Sequence, residues 1–340
     1  MKIIFDSRVL THKNYTGVEN YAKNILDNIK DKCNLMVAKP KSSNKYISHL
    51  WTHFRLPFFN GDIIFCPANI APLFVQKNKK LILTIHDVAF QTHPDSFSRF
   101  FSLYYKLIIP ININRADKII TVSNYSKESI EKYYPQAKGK IEVIYLGIDK
   151  KFKRNDVINK KDQILYVGSM NTRKNLVGVL KAFEMINDKR YKLLIVGNFS
   201  SNFFVDDKTQ DLINKAKKND NIEFKSNISD IELVEIYNES VLFLFPSFYE
   251  GFGLPVLEAM ACGTPVICSD KSSLPEVGGD AVMYCDPYSV EDIKDKIELV
   301  LDDKEFQNRM AQKGLKRANG FSWDKAAHEH IKLFEELLKN

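Results

Sequence analysis

Apolar residues along the chain form short continuous runs that alternate with amphipathic segments. The runs are rich in β-branched residues, which is typical of strands covered on both faces of a parallel sheet. The strands predicted in the first half are Lys2–Arg8, Asn34–Ala38, Asp62–Pro67, Leu81–His86, Lys118–Ser123 and Ile141–Leu146. Those predicted in the second half are Ile164–Gly168, Lys192–Gly197, Ile222–Lys225, Val241–Pro246, Pro265–Ser269 and Ala281–Tyr284. The helical patterns between them are Val18–Ile29, Phe100–Asn112, Lys127–Tyr133, Leu176–Ile186, Lys208–Lys217, Ile231–Tyr237 and Pro255–Ala261.

This alternation predicts an α/β protein with two doubly wound parallel sheets. The first series of strands ends in Gly147-Ile148-Asp149, and a polar stretch follows. We therefore expect an N-terminal domain over residues 1–150 and a C-terminal domain over residues 151–320. Ser322 is suited to cap a last helix, which we expect over residues 321–340. In open α/β sheets ligands bind beyond the carboxyl ends of the strands, so the loops at those ends are where chemistry is expected.

Composition excludes several classes of protein. The 340 residues are 44% hydrophobic and 27% charged, too apolar for a disordered chain. No apolar run approaches the ~18–20 residues of a membrane span, and Asp6 comes too early for a signal peptide. The five cysteines lack metal-binding spacing, which predicts reduced, buried thiols in a cytosolic protein with neither a metal site nor disulfides. Neither G-x-G-x-x-G nor a P-loop occurs.

Positive charge is concentrated in the first half of the chain. Residues 1–150 contain 22 Lys and Arg against 12 Asp and Glu, a balance of +10, whereas residues 151–340 have a balance of −3. Such a half suits an anionic membrane surface or nucleic acid, or it merely has solvated basic faces. Residues 48–59 add aromatic and basic side chains, which indicate either a packed helix or a segment facing a membrane.

The segment Phe245–Pro265 has the densest chemistry. A strand ends at Phe245, a loop with two glycines follows, and Pro255 suits the first helical position. The free N–H groups at that helix N-terminus, together with the helix dipole, predict an anion site. Glu250 and Glu258 bracket it, and carboxylates accept hydrogen bonds from sugar or ribose hydroxyls. Glu258 alone could equally complement the helix dipole.

Here the sequence resembles a large family of retaining glycosyltransferases, the E-x7-E family of glycosyltransferase family 4 type. The resemblance rests on Glu250-x7-Glu258 with G-F-G-L-P-x-L-E-A-M-A-C-G-T-P-V, and the family includes bacterial mannosyl- and rhamnosyltransferases of surface-polysaccharide assembly. It implies the GT-B fold, two doubly wound Rossmann-like domains facing each other across a cleft. It also implies that Glu250 holds sugar hydroxyls and Glu258 the ribose. The other donor-binding residues nominated here are Gly251, Phe252, Gly253 and Leu254.

An Arg-Lys pair follows the first strand of the second half. The planar fork of Arg173 and the point charge of Lys174 suit a diphosphate, although many such pairs are simply solvated. Cations are unfavourable at a helix N-terminus unless an anion is bound there. In the family the matching pair holds the donor diphosphate, and we expect the same of Arg173 and Lys174. Gly168, at the end of the same strand, is nominated as a further donor contact.

Four residues outside these two segments complete the predicted site. A lone histidine is usually structural, but the resemblance places His86 beside the donor sugar as a catalytic residue. Gly17 stands where the family has one or two glycines, and it is nominated for approach of acceptor or phosphate. In the family, groups around the loop after the third strand of the second half contact the nucleobase. The resemblance therefore nominates Asn227 and Ile228 for that contact, since Ser229 or Asp230 alone is explained as a helix cap.

These features predict retaining transfer of a sugar from a nucleotide-diphosphate donor to an acceptor hydroxyl, without a metal or other cofactor. The stretch from His86 to Phe97 resembles members that use GDP-mannose or GDP-deoxyhexoses. The expected acceptor is a glycan or an undecaprenyl-type lipid-linked acceptor of O-antigen or capsule-type synthesis, met by a cytoplasmic enzyme at an anionic membrane. UDP- or dTDP-sugar donors and a sugar-nucleotide epimerase of similar fold stay open. So does a basic nucleic-acid-binding protein, which would leave Glu250 and Glu258 without a function.

Overall fold

The computed structural model describes residues 1–11, 17–169, 171–186, 188–197 and 207–339. Thr16, the neighbour of Gly17, and Met170, which stands between Gly168 and the Arg173–Lys174 pair, lie outside these ranges. The chain forms two compact units, one of residues 1–147 with 322–340 and one of residues 148–321. We call them unit 1 and unit 2. Each contains a six-stranded, wholly parallel sheet with helices in the crossovers, which confirms the predicted α/β class.

Unit 1 has the strand order β2-β1-β3-β4-β5-β6. Its strands are β1 (Ile3–Asp6), β2 (Leu35–Ala38), β3 (Ile63–Cys66), β4 (Lys80–Thr84), β5 (Lys118–Thr121) and β6 (Ile141–Val143). Its first helices are α1 (Gly17–Ile29), α2 (Lys45–Phe54), α3 (Ala89–Thr92), α4 (Arg99–Arg115) and α5 (Asn124–Tyr133). The central strands are fully buried, as continuous apolar runs predict. The side chain of Asn44 caps α2, which contains the first part of the segment 48–59 for which a packed helix was one of two interpretations.

Unit 2 has the strand order β12-β11-β10-β7-β8-β9. Its strands are β7 (Lys161–Val167), β8 (Lys192–Val196), β9 (Ile222–Lys225), β10 (Ser240–Phe245), β11 (Val266–Ser269) and β12 (Met283–Cys285). Its helices are α6 (Leu176–Met185), α7 (Asp207–Ala216), α8 (Asp230–Glu239), α9 (Leu254–Ala261), α10 (Leu274–Gly278), α11 (Val290–Asp302) and α12 (Lys304–Ala318). Because β7 and β10 are neighbours in the middle of this sheet, the loops that follow them share one edge.

The last helix, α13 (Trp323–Lys339), packs within unit 1. His330 is buried, and burial lowers its pKa to about 4, so the ring is neutral. Its Nδ1 lies 2.7 Å from the carbonyl oxygen of Ala326, which can only accept, so Nδ1 carries the proton. The hydroxyl of Tyr21 therefore donates to Nε2, 2.7 Å away. This pairing fixes α13 against α1.

Four of the five cysteines are buried free thiols, as predicted, and Cys33 is half-buried. Burial raises the pKa of the Cys262 and Cys285 thiols to about 12, which keeps both protonated. Within the ranges that the structure describes, no helix has the length and apolar character needed to span a bilayer.

Candidate functional site

The two predicted cations meet Glu250 at the shared edge of β7 and β10. Arg173 and Lys174 lie in a short 3₁₀ turn after β7, and the side chain of Asn171 accepts from the backbone N–H of Arg173. Lys174 Nζ donates to Glu250 Oε1 over 2.7 Å, and Arg173 Nη1 lies 3.7 Å from Oε2. The side chains of Arg173, Lys174 and Glu250 are only 19%, 14% and 8% exposed. Residues 76 positions apart thus form one charged cluster.

The cluster keeps hydrogen-bonding capacity for a ligand. Arg173 Nη1 donates to the carbonyl oxygen of Tyr249, but its buried Nε has no hydrogen-bond partner among the described residues. A carboxylate has about four acceptor positions, so Glu250 can hold both cations and still accept from a hydroxyl. The ammonium of Lys174 also lies 4.8 Å from the centre of the Phe245 ring. The arrangement therefore suits an anion that carries hydroxyl groups.

The loop between β10 and α9 is held by side chains that sequence reasoning missed. Asn175, at φ +56°, donates to the carbonyl oxygens of Pro246 and Pro287 over 3.1 and 2.7 Å. Its Oδ1 accepts from Gly178 N, so Asn175 caps α6. The sequence signal for this cap is an Asn directly before a helical pattern. Ser272 accepts from Glu250 N over 3.0 Å. These bonds position the Glu250 backbone relative to the cations.

The helix N-terminus that follows this loop forms as predicted, with one shift. Gly253 is the N-cap of α9 at φ +116°, and Pro255 occupies the second helical position rather than the first. A Cβ at Gly253 would lie 2.7 Å from Leu274 Cδ2, and its backbone conformation is one that residues with a side chain rarely adopt, so a substitution there is strained. The ring of Phe252 is buried and packs on the ring of Phe321, with 6.0 Å between their centres. Only the backbone of Phe252 is therefore placed to make the predicted contact with the donor. Gly251 is buried and Leu254 is partly exposed.

Glu258 faces a tyrosine that the sequence did not single out. The hydroxyl of Tyr237, on α8, donates to Glu258 Oε2 over 3.0 Å. Burial raises the pKa of Glu258 to about 7, so the side chain is partly protonated at neutral pH. Tyr237 is itself fully buried with its ring 5.5 Å from that of Phe243. The bond orients Glu258 more specifically than the helix dipole would.

The remaining nominated residues of unit 2 lie farther along the same sheet. Asn227 follows β9 at φ +55° and is exposed, and Ile228 is half-buried beside it. Ser229 caps α8 in a capping box with Glu232, which confirms its interpretation as a cap. Gly168 directly follows β7, and a Cβ at Gly197, which was not nominated, would lie 1.9 Å from the carbonyl oxygen of Gly168. That close backbone approach requires glycine at position 197.

The two nominated residues of unit 1 are His86, which follows β4, and Gly17, which begins α1. His86 Nε2 lies 3.0 Å from the carbonyl oxygen of Pro67, so Nε2 carries the proton and Nδ1 is an acceptor. Burial lowers the pKa of His86, which favours this neutral form. Its ring meets that of Tyr21 edge-on at 4.8 Å. Gly17 begins α1 in open space, since a Cβ there would meet nothing within 4 Å. Their roles toward acceptor and donor stay predictions.

Among the described residues, no group of three or more His, Cys, Asp and Glu side chains is arranged to hold a metal ion. The charged cluster of unit 2 instead brings together two cations and a carboxylate.

Solved structures with the same architecture are GT-B glycosyltransferases. Sucrose-phosphate synthase from Thermosynechococcus elongatus matches 100% of this chain and 99% of its own, at 17% identity and a TM-score of 0.78. Anabaena Alr3699/HepE in complex with UDP-glucose matches 99% and 100%, at 15% identity and a TM-score of 0.73. The fold is therefore that of the GT-B class, as predicted.

Family models assign the chain more closely. The model described as glycosyl transferases group 1 matches residues 147–317, and the one described as Glycosyltransferase Family 4 matches residues 15–152. The chain belongs to the glycosyl transferases group 1 family. It is 30% identical to O-antigen chain mannosyltransferase B of Escherichia coli over 273 residues, 76% of this chain and 71% of that protein. It is 29% identical to O-antigen chain mannosyltransferase RfbU of Salmonella typhimurium over 247 residues, 71% of this chain and 66% of that protein.

Proposed function

We propose that the protein transfers mannose, or a related deoxyhexose, from a GDP-sugar to a hydroxyl of a glycan or lipid-linked acceptor. The observation that carries this proposal is the convergence of Arg173, Lys174 and Glu250 beside the α9 N-terminus. It supplies cations for a diphosphate and a carboxylate for sugar hydroxyls in one place. The choice of mannose and of O-antigen or capsule-type synthesis is supported by the two mannosyltransferase relatives.

Arg173 and Lys174 would act as the bond between sugar and diphosphate breaks. Negative charge then grows on the departing phosphate oxygen, and fixed cations stabilise that charge without reorganising. The unpartnered Nε of Arg173 gives the guanidinium a donor for a phosphate oxygen. In this scheme the two cations do the work for which other enzymes use a metal, so none is required.

We further propose that the reaction retains the anomeric configuration. Inversion needs a base on the acceptor hydroxyl, either a carboxylate or a neutral histidine, and retention through a covalent intermediate needs a carboxylate nucleophile. Glu250 is engaged by two cations, which reduces its nucleophilicity, and Glu258 is bonded to Tyr237. Front-face attack, with a donor phosphate oxygen accepting the proton of the acceptor hydroxyl, needs neither carboxylate.

A cytoplasmic enzyme peripheral to the membrane fits the charge distribution. The excess of +10 in residues 1–150 favours an anionic surface, and lipid-linked acceptors reside at such a surface.

Glu258 would accept hydrogen bonds from the hydroxyls of the donor ribose, with Tyr237 orienting its carboxylate.

A donor panel tests the proposal. Purified protein is incubated with GDP-mannose, GDP-deoxyhexoses, UDP-glucose and dTDP-rhamnose, each with and without a lipid-linked glycan, and products are identified by mass spectrometry. We expect acceptor-dependent transfer from a GDP-sugar that survives EDTA. Transfer from UDP-glucose alone would show that the donor is a UDP-sugar and not a GDP-sugar. UDP-glucose is the second candidate because Alr3699/HepE was solved in complex with it. Conversion of a donor without acceptor would indicate an epimerase.

A further inference from the structure

Helix α4 presents an apolar stripe to solvent. Phe100, Leu103, Leu107 and Ile111 recur every three or four residues and are between 41% and 67% exposed. A helix at a water-exposed surface normally turns polar residues outward and its apolar stripe toward the core. The opposite side of α4 does enter the core, through Tyr105, Ile109 and Ile113. The outer stripe is therefore a second apolar face of α4, which the described residues of unit 1 leave exposed to solvent.

Helix α2 presents a similar stripe next to it. Its exposed members are Tyr46, Ile47, Leu50 and Phe54, and the rings of Tyr46 and Phe100 meet at 6.4 Å. We call these eight side chains of α2 and α4 the α2–α4 face. Residues 48–59 are divided between core and surface, since Thr52 and Leu56 are buried whereas Leu50 and Phe54 are exposed. Continuous exposed apolar patches of this kind mark interaction surfaces.

The charges around the α2–α4 face favour an anionic partner. No Asp or Glu occurs in residues 32–61 or 96–116, which include both helices. Arg55, Arg99, Lys106 and Arg115 are exposed, and no described carboxylate forms an ion pair with Arg99 or Lys106. A second copy of this chain would oppose cations to cations, which is unfavourable. Anionic headgroups above an apolar layer match both the charges and the stripes.

A cavity of about 340 Å³ opens between the two helices. Most of its lining side chains are aromatic or aliphatic, and the lining includes Leu50, His53, Ser98, Phe100 and Tyr104. His53 bonds to the Ala71 carbonyl and to the Tyr104 hydroxyl, and Ser98 caps α4 at Phe101 N. Because the lining is largely apolar and these polar groups are bonded inside the protein, the cavity suits an apolar occupant.

We propose that this cavity binds one hydrocarbon chain, that of a membrane-anchored prenyl phosphate acceptor, while the α2–α4 face rests on the bilayer. The cavity lies within the α2–α4 face, so a chain leaving the bilayer reaches it without crossing water. A single-chain prenyl phosphate can enter alone, whereas a phospholipid would leave its second chain outside. The acceptor class rests on the proposed function, but chain binding itself does not require turnover.

Farnesyl phosphate, a soluble single-chain prenyl phosphate, is the probe, and glycerol phosphate is the control with a phosphate but no chain. Binding is followed by the fluorescence of Trp51 on α2 and by thermal shift, with no donor present. We expect saturable binding of farnesyl phosphate only. Leu50→Glu puts a carboxylate into the cavity and should weaken binding by at least about tenfold. Leu107→Glu is the matched control, since Leu107 is equally exposed but does not line the cavity.

Leu107→Glu should bind farnesyl phosphate like the wild type but bind phosphatidylglycerol-containing vesicles less. Equal farnesyl phosphate affinity in Leu50→Glu and wild type would overturn the cavity assignment, as would equal binding of glycerol phosphate. A dimer that Leu107→Glu dissociates would overturn the membrane assignment of the α2–α4 face. None of these measurements depends on sugar transfer. If farnesyl phosphate binds as expected but the donor panel shows no transfer, the proposed function is wrong and the cavity assignment stands.

Discussion

Lys174 Nζ lies 2.7 Å from Glu250 Oε1, and both side chains are largely buried. One group comes from the turn after β7 and the other from the loop after β10, so the pair depends on the central strands of unit 2 being neighbours. Arg173 lies beside this pair. The Glu250 carboxylate therefore restrains two cations at one edge of the unit 2 sheet before any donor is present.

Glu250→Gln should lower the free energy of unfolding by about 3 kcal/mol, because it leaves two largely buried cations without their counter-charge. GDP should restore part of that loss, since its diphosphate replaces the missing charge. Urea unfolding with and without GDP measures both effects. Asp188→Asn, which breaks an exposed pair with Arg190, is the control and should lower the free energy of unfolding much less, because solvent screens exposed pairs. An equal loss in the two variants would contradict the importance of the buried cluster.

Arg173→Ala and Lys174→Met should each lower kcat by about 10²–10³, because fixed charges on a leaving group act mainly in the transition state. Methionine keeps an unbranched aliphatic side chain at this position while removing the ammonium that lies over the Phe245 ring. Steady-state kinetics of sugar transfer measures the loss, with Arg190→Ala as the control for an exposed cation. Near wild-type kcat in either cluster variant would remove that residue from the reaction.

Glu258 predicts a pH dependence with a definite sign. Its pKa is about 7 in the folded protein against an ordinary value of 4.5, so the folded state keeps a proton that the unfolded chain releases between these values. Stability should fall as pH rises from about 4.5 to about 7 and then level off. GDP affinity should do the reverse, rising about tenfold from about pH 6 to about pH 8, if ribose binding needs the carboxylate.

Calorimetric titration of GDP across this range tests the ribose assignment. Glu258→Gln should bind GDP more weakly at high pH and lose the pH dependence. Tyr237→Phe keeps the carboxyl but removes its hydrogen bond, so it should weaken GDP binding less than Glu258→Gln does. A pH profile that survives in Glu258→Gln would assign it to another group.

Asn175→Ala should destabilise unit 2 by about 2–3 kcal/mol, because it removes a helix cap and two buried hydrogen bonds and places alanine at φ +56°. Asn175→Gly keeps the backbone conformation and should recover the share due to strain. Thermal unfolding of the two variants separates these contributions. If glycine and alanine cost the same, the left-handed backbone at this position carries no penalty.

The product should keep the anomeric configuration of the donor. Proton NMR of the first product formed, before any mutarotation, gives the answer directly. Inversion would show that a side chain of this protein acts as a base on the acceptor hydroxyl, and it would overturn front-face attack.

Local patterns were enough to predict much of this molecule. The strand ending at Phe245, the glycine loop and α9 follow from residues adjacent in the chain, so the helix N-terminus was predicted to within one position at Pro255. Tyr237 was missed because it lies in a helical pattern as an apolar residue, and its bond to Glu258 spans two helices. The outer stripe of α4 was missed because periodicity predicts a helix without indicating which of two apolar faces enters the core.

The Lys174–Glu250 pair has a consequence for anions other than the donor. A tethered carboxylate has a high effective concentration, so it competes with any free ion for the two cations. Inorganic phosphate or sulfate offers charge but no other contact and must displace Glu250 unaided. A nucleotide sugar offers a base, a ribose and a sugar as well. Glu250 thus acts as an intramolecular competitor that disfavours small anions and keeps the site available for the complete donor.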